Sequence, residues 1–150
     1  MLKARIAQDF KAALLAGDKT LATTLRSIKS AILYAEVAQG ARDQGLSDEE
    51  IVTLLTKEAK KRQESADLYK QGGNIEKAEA ELAEKRVIES YLPKQLTDDE
   101  LIALIDAVIE ELGASGTAAM GQVIGVVKQR TAGQADGARI ARLVKQQLER

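Results

Sequence analysis

The chain contains no cysteine and no histidine. Thiol nucleophiles, imidazole bases, disulfides and the usual zinc sites are thereby excluded. Only one proline, Pro93, interrupts it. Aromatic residues are reduced to Phe10, Tyr34, Tyr69 and Tyr91. A base-stacking platform needs several aromatic rings on one face, which argues against nucleic-acid modules built on exposed sheets. Apolar runs are too short to span a bilayer. Met1 to Ala16 is amphipathic and carries Asp9, so no signal peptide is expected there. With no cysteine, no expected signal peptide and no spanning run, the cytoplasm is the expected location and no membrane partner is expected. Neither a metal nor a cofactor is expected.

What remains is helix-forming. Of the 150 residues, 45% are apolar and 30% charged, proportions suited to a globular fold. Ala, Leu, Ile, Glu, Gln, Lys and Arg dominate, and β-branched runs are nearly missing. Seven helices can be read. The first spans about Leu2 to Ala16, with Leu2, Ile6, Phe10 and Leu14 on one stripe. Gly17 and Asp18 form a stop and a start. A second helix carries Leu21, Leu25, Ile28, Ile32 and Ala35 inward and ends at Gly40.

Leu46-Ser47-Asp48-Glu49-Glu50-Ile51 predicts a helix start with a capping box and a hydrophobic staple. The device recurs at Leu96-Thr97-Asp98-Asp99-Glu100-Leu101. The third helix runs to about Gln71, where Gly72-Gly73 break it. Asn74 caps a fourth, with Ile75, Ala78, Leu82 and Ile88 on its apolar side and an end near Leu92. Pro93 disfavours helical geometry at Leu92. The expected architecture is all-α, with a four-helix domain over 1–93 and a three-helix domain over 94–150. The last three helices fall at about 98–112, 118–131 and 137–149.

Charge is segregated along the chain. Residues 1–93 hold 15 basic and 15 acidic side chains. Residues 94–112 hold Lys94 against six acids, whereas 113–150 hold six bases against two acids, a balance of +4. Lys128 and Arg130 end the sixth helix and Lys145 lies toward the end of the seventh, where cations offset the helix dipole. Arg139 and Arg142 sit near the start of the seventh, where the dipole opposes them. Arg142 has no acid three or four residues away. Phosphate binding and a plain solvated face both remain open on these residues. Asp136 complicates the first reading, because it can cap the seventh helix with its own carboxylate.

The second basic cluster, Lys57 to Arg62, reads as an ion-paired surface. Glu58 reaches Lys61 and Arg62, and Glu64 reaches Lys60 and Lys61. Lys57 and Lys61, like Arg130, are therefore secondary candidates for RNA contact. Gly121 and Gly125 predict close helix packing, and Gly72-Gly73 a turn. No phosphate-loop or dinucleotide glycine fingerprint occurs. Ser27 and Lys29 are two apart on a helix and point apart. No catalytic constellation is expected.

The pattern Met120-Gly121-Gln122-Val123, Gly133-Gln134-Ala135-Asp136-Gly137 and Leu143-Val144-Lys145 through Leu148 resembles the C-terminal part of the YqeY family. Leu25-Arg26-Ser27-Ile28-Lys29-Ser30, Lys57-Glu58-Ala59-Lys60-Lys61-Arg62 and Tyr91-Leu92-Pro93 extend the likeness along the chain. The C-terminal module also resembles the tail of GatB, a component of tRNA-dependent amidotransferases. The resemblance implies two helical domains. In GatB the tail helps hold tRNA, while amidation belongs to a separate catalytic domain and ammonia comes from the amidase component. A tRNA-binding or tRNA-associated accessory module is therefore expected, with Lys128, Arg139, Arg142 and Lys145 as its phosphate contacts. Its partners would be tRNA or a protein of the aminoacylation or amidation machinery. A helical protein–protein adaptor is the alternative. Amidotransferase-linked activity, carbon–nitrogen ligation with glutamine as amido donor, is implied only by the family association.

Overall fold

A computed structural model describes residues 1–150, and every regular element in it is a helix. In chain order these are α1 (Leu2–Ala16), α2 (Lys19–Ala38), α3 (Asp48–Gln71), α4 (Ile75–Glu89), α5 (Asp98–Leu112), α6 (Met120–Thr131) and α7 (Gly137–Leu148), with one 3-10 turn at Thr117–Ala119. Contacts divide the chain into two compact units, Met1–Leu92 and Pro93–Arg150.

In the first unit each turn has a local cause. Gly17 adopts the left-handed conformation that closes α1, and the Asp18 carboxylate accepts from the Leu21 amide at 3.1 Å to open α2. Both halves of the Ser47–Glu50 capping box are formed, and Leu46 and Ile51 are buried in the same core. Gly73, at φ 77°, turns the chain between α3 and α4, and Asn74 caps α4. That core joins Ile6, Leu25, Ile28, Ile32, Leu55, Ala59, Ile88 and Tyr91.

Two elements differ from the periodicity. Leu14 is 51% exposed and Ala13 is buried in its place. A strict four-residue step drifts by about 40° per repeat on a helix, so the inward face passes from Phe10 to Ala13. On α4, Ile75 lies in solvent while Ala78 and Ile88 are buried. The regular part of α4 ends at Glu89; Tyr91 and Leu92 continue it as tightened turns onto Ile88 and Glu89. Ala66 and Ala78 are fully buried where α3 packs along α4. Ala78→Leu should therefore overpack that seam, lowering unfolding free energy by about 1–3 kcal/mol. Urea denaturation with an unchanged slope is the check, and an unchanged midpoint would show a seam with room to spare.

The second unit packs Leu101, Ile105, Val108, Val123, Val127, Ile140, Leu143 and Val144 into one core. Thr97 and Glu100 complete a second capping box. The segment ahead of α5 is tied to the α6–α7 loop by the Leu96 backbone amide donating to the Gln134 carbonyl at 2.8 Å and the Gln95 side-chain Nε2 donating to the Gly133 carbonyl at 3.0 Å. Gly121 and Gly125 do not serve close packing. Both are exposed, and a Cβ added at either meets nothing within 4 Å. Apolar Val123 and Val127 occupy the inward positions instead, leaving the glycines on the opposite side of the 3.6-residue period.

Candidate nucleic-acid interface

The N-terminus of α7 is closed to an incoming anion. The Asp136 carboxylate accepts from the Ala138 amide at 2.6 Å and the Arg139 amide at 3.1 Å, taking the donors a phosphate would use. Beside this cap, Lys128 reaches from the end of α6. Its Nζ lies 3.2 Å from where a Cβ on Gly137 would stand.

Arg139 and Arg142 are brought together, on an acid from another helix. Asp98, in the first turn of α5, takes Arg139 Nε at 2.7 Å and Arg142 at 3.7 Å through its other oxygen. A second Arg139 nitrogen donates to the Leu96 carbonyl. The sequence-based view of Arg139 and Arg142 as an uncompensated cationic face is thus corrected: the neutralising acid lies 41 residues away from Arg139. Only 23% of the Arg139 side chain is exposed, against 54% for Arg142. Arg139 chiefly fastens α7 to the start of α5, whereas Arg142 keeps its outer edge in water.

Arg130 is likewise engaged. It forms a bidentate pair with Glu111 at 2.6 and 3.2 Å, which holds the Glu111 carboxyl below its ordinary value and raises the guanidinium. Lys128 and Lys145 are exposed and enter no ion pair. Of the cations singled out in this unit, Lys128, Arg142 and Lys145 therefore retain charge to offer.

In the first unit, Lys61 lies 3.4 Å from Glu58, as its spacing suggests. Arg62 gathers Glu58, Glu81 and Glu84 from two helices. Burial raises the Glu84 carboxyl in spite of Arg62. Lys60 forms no pair with Glu64, and Lys57 stays exposed. No group of three or more carboxylates is arranged so that it could hold a metal ion.

The model of the family described as Yqey-like protein matches residues 3–148. The chain belongs to the YqeY family. This family member is also 32% identical over 111 residues to "Altered inheritance of mitochondria protein 41, mitochondrial" of Eremothecium gossypii. That match covers 73% of this chain and 60% of the relative, so the chain spans less than two thirds of the relative's length. No helix is long and apolar enough to cross a membrane.

Three features of this YqeY-family chain are hidden in one dimension. Asp98 and Glu111 look like ordinary helix-end residues, although an acidic α5 next in sequence to a basic α6–α7 is itself a sign of pairing. Glu36 is buried at the end of α2, one helical step beyond Ile32 on the inward stripe. Arg26 and Lys29 sit over the Phe10 ring, a contact between helices that no local spacing reveals.

Proposed function

We propose that the chain is a non-catalytic, tRNA-associated accessory module of two helical domains. Its RNA contact would run through Lys128, Arg142 and Lys145, while Arg139 is held by Asp98 and the Leu96 carbonyl. The observation that carries this reading is the set of exposed cations on α6 and α7 without full acidic compensation. The resemblance of Met120–Leu148 to a tRNA-holding tail supports the same surface. Such contacts go to phosphates, so binding is sequence-tolerant and about micromolar or weaker at physiological salt. A cytoplasmic site of action, beside the aminoacylation or amidation machinery, is part of the proposal. No amidation chemistry is assigned to the chain itself.

A mobility shift with bulk tRNA at low salt tests it. Binding is expected, and Lys57→Gln with Lys61→Gln should weaken it less than Lys128→Gln with Lys145→Gln, because Lys61 already has Glu58. The adaptor reading is favoured by a different observation: Leu33, Tyr34 and Val37 on α2 are 47%, 78% and 57% exposed. Absence of tRNA binding, together with salt-tolerant protein capture lost in Leu33→Ser with Val37→Ser, would support that adaptor instead.

A further inference from the structure

Two cations of the first unit with no acidic partner, Arg26 and Lys29, line a cavity. Between α1 and α2 a space of about 410 Å³ is lined by Lys3, Phe10, Arg26, Lys29, Ser30 and Glu36 over an apolar floor that includes Ile6. That volume falls in the range of small-molecule sites, about 300–1,000 Å³. Arg26 and Lys29 enter no ion pair. Their charges instead rest on the Phe10 ring, 5.4 and 4.7 Å from its centroid.

They are one helical turn apart on α2 and repel each other at that spacing. No acid lies three or four residues from either of them. The single carboxylate in the cavity, Glu36, is already committed. Its oxygens take Lys3 Nζ at 2.7 and 3.0 Å and the Leu46 amide at 3.1 Å. Lys3 and Glu36 therefore cancel, and the lining retains two positive charges beside a hydroxyl, Ser30, and a flat aromatic wall.

We propose that this cavity binds a small phosphate monoester carried on a flat apolar body. The two free charges match the charge of such a phosphate at neutral pH, about −1.5 to −2. Arg26 and Ser30 supply donors suited to its oxygens, and Lys29 a point charge. Phe10, Ala7 and Leu33 take the apolar body. A carboxylate would leave one cation unmatched, and inorganic phosphate would leave the apolar wall unfilled. The α6 and α7 cations proposed for RNA belong to the other unit and take no part here.

The test is a titration of the full chain with phenyl phosphate, followed by amide resonances of Phe10, Arg26 and Ser30. Saturable shifts are expected, at concentrations at least about tenfold below those needed for inorganic phosphate or phenol alone. Arg26→Gln with Lys29→Gln should weaken binding at least about tenfold, whereas Arg139→Gln with Arg142→Gln should leave it unchanged. Phe10→Leu should reduce the preference over inorganic phosphate without abolishing anion binding. Equal affinity for inorganic phosphate and phenyl phosphate would overturn the assignment. So would undiminished binding in the α2 variant while its helicity is intact. Displacement of phenyl phosphate by tRNA at equal charge concentration would also overturn it, making Arg26 and Lys29 part of a nucleic-acid face.

Discussion

Glu36→Ala should lower the unfolding midpoint on the order of 10 °C. The residue is 1% exposed, yet its carboxylate joins three segments. Lys3 reaches it from α1, the Leu46 amide from the start of the α3 cap, and the side chain itself belongs to α2. Gly45, at φ 77°, brings the loop so close that an added Cβ would stand 3.1 Å from Glu36 Oε2. Removing the carboxylate strands a buried amide and leaves Lys3 without its partner, in addition to opening a void. Glu36→Gln keeps the volume and should lose about half as much.

The Lys3 hydrogen bond holds the Glu36 carboxyl below its ordinary value of 4.5, outweighing the opposing effect of burial; the Leu46 amide adds to it. Because the folded value is depressed, the stabilisation is fully present above the unfolded value and disappears as pH falls through the folded one. The gap in melting temperature between wild type and Glu36→Gln should therefore be constant near neutrality and close below pH 4.5. A gap that persists into acid, or that is absent at neutral pH, contradicts the assigned network.

Asp98→Asn should do the opposite of an ordinary loss: it should weaken the fold and strengthen RNA binding. The carboxylate neutralises Arg139 at 2.7 Å and Arg142 at 3.7 Å. It also occupies the first turn of α5, where negative charge is favoured. Its loss loosens α7 from α5 but leaves the Thr97–Glu100 cap and the Leu96 carbonyl in place as partners. Two guanidinium charges are then free for phosphate. Binding to bulk tRNA should tighten severalfold at low salt, and the salt slope should steepen by about one to two. Unchanged affinity with an unchanged slope would mean that these arginines do not reach RNA.

The helices are legible in the sequence because their determinants are local. Ser47–Glu50, Thr97–Glu100, Asn74 and Asp136 each sit within three residues of the amide they cap. The inward stripe of α2 follows its three-four spacing without exception from Leu25 to Ile32. Leu14 and Ile75 depart from their stripes because periodicity gives a direction, not the depth of the core at a helix end. The glycine pair of α6 misleads for a related reason: a small residue permits close approach but does not require it.

The charges are legible only in part, because pairing between helices is set by tertiary geometry. Lys61 can be matched to Glu58 from spacing alone. Arg139, Arg142 and Arg130 cannot be matched that way to Asp98 and Glu111, which come from another helix of the same unit. An acidic block is followed in sequence by a basic one, and folding lays one against the other. The opposite happens at Arg26 and Lys29, which find a ring and a cavity instead of an acid.

A salt titration of tRNA binding decides whether the cations of α6 and α7 contact RNA. Wild type is compared with a variant carrying Lys128→Gln, Arg142→Gln and Lys145→Gln, with helicity checked by circular dichroism. Weaker binding is expected in the variant at every salt concentration, with a dependence of log K on log salt shallower by up to about two to three for the three charges removed. Coincident curves, or no binding by wild type at low salt, would contradict that contact.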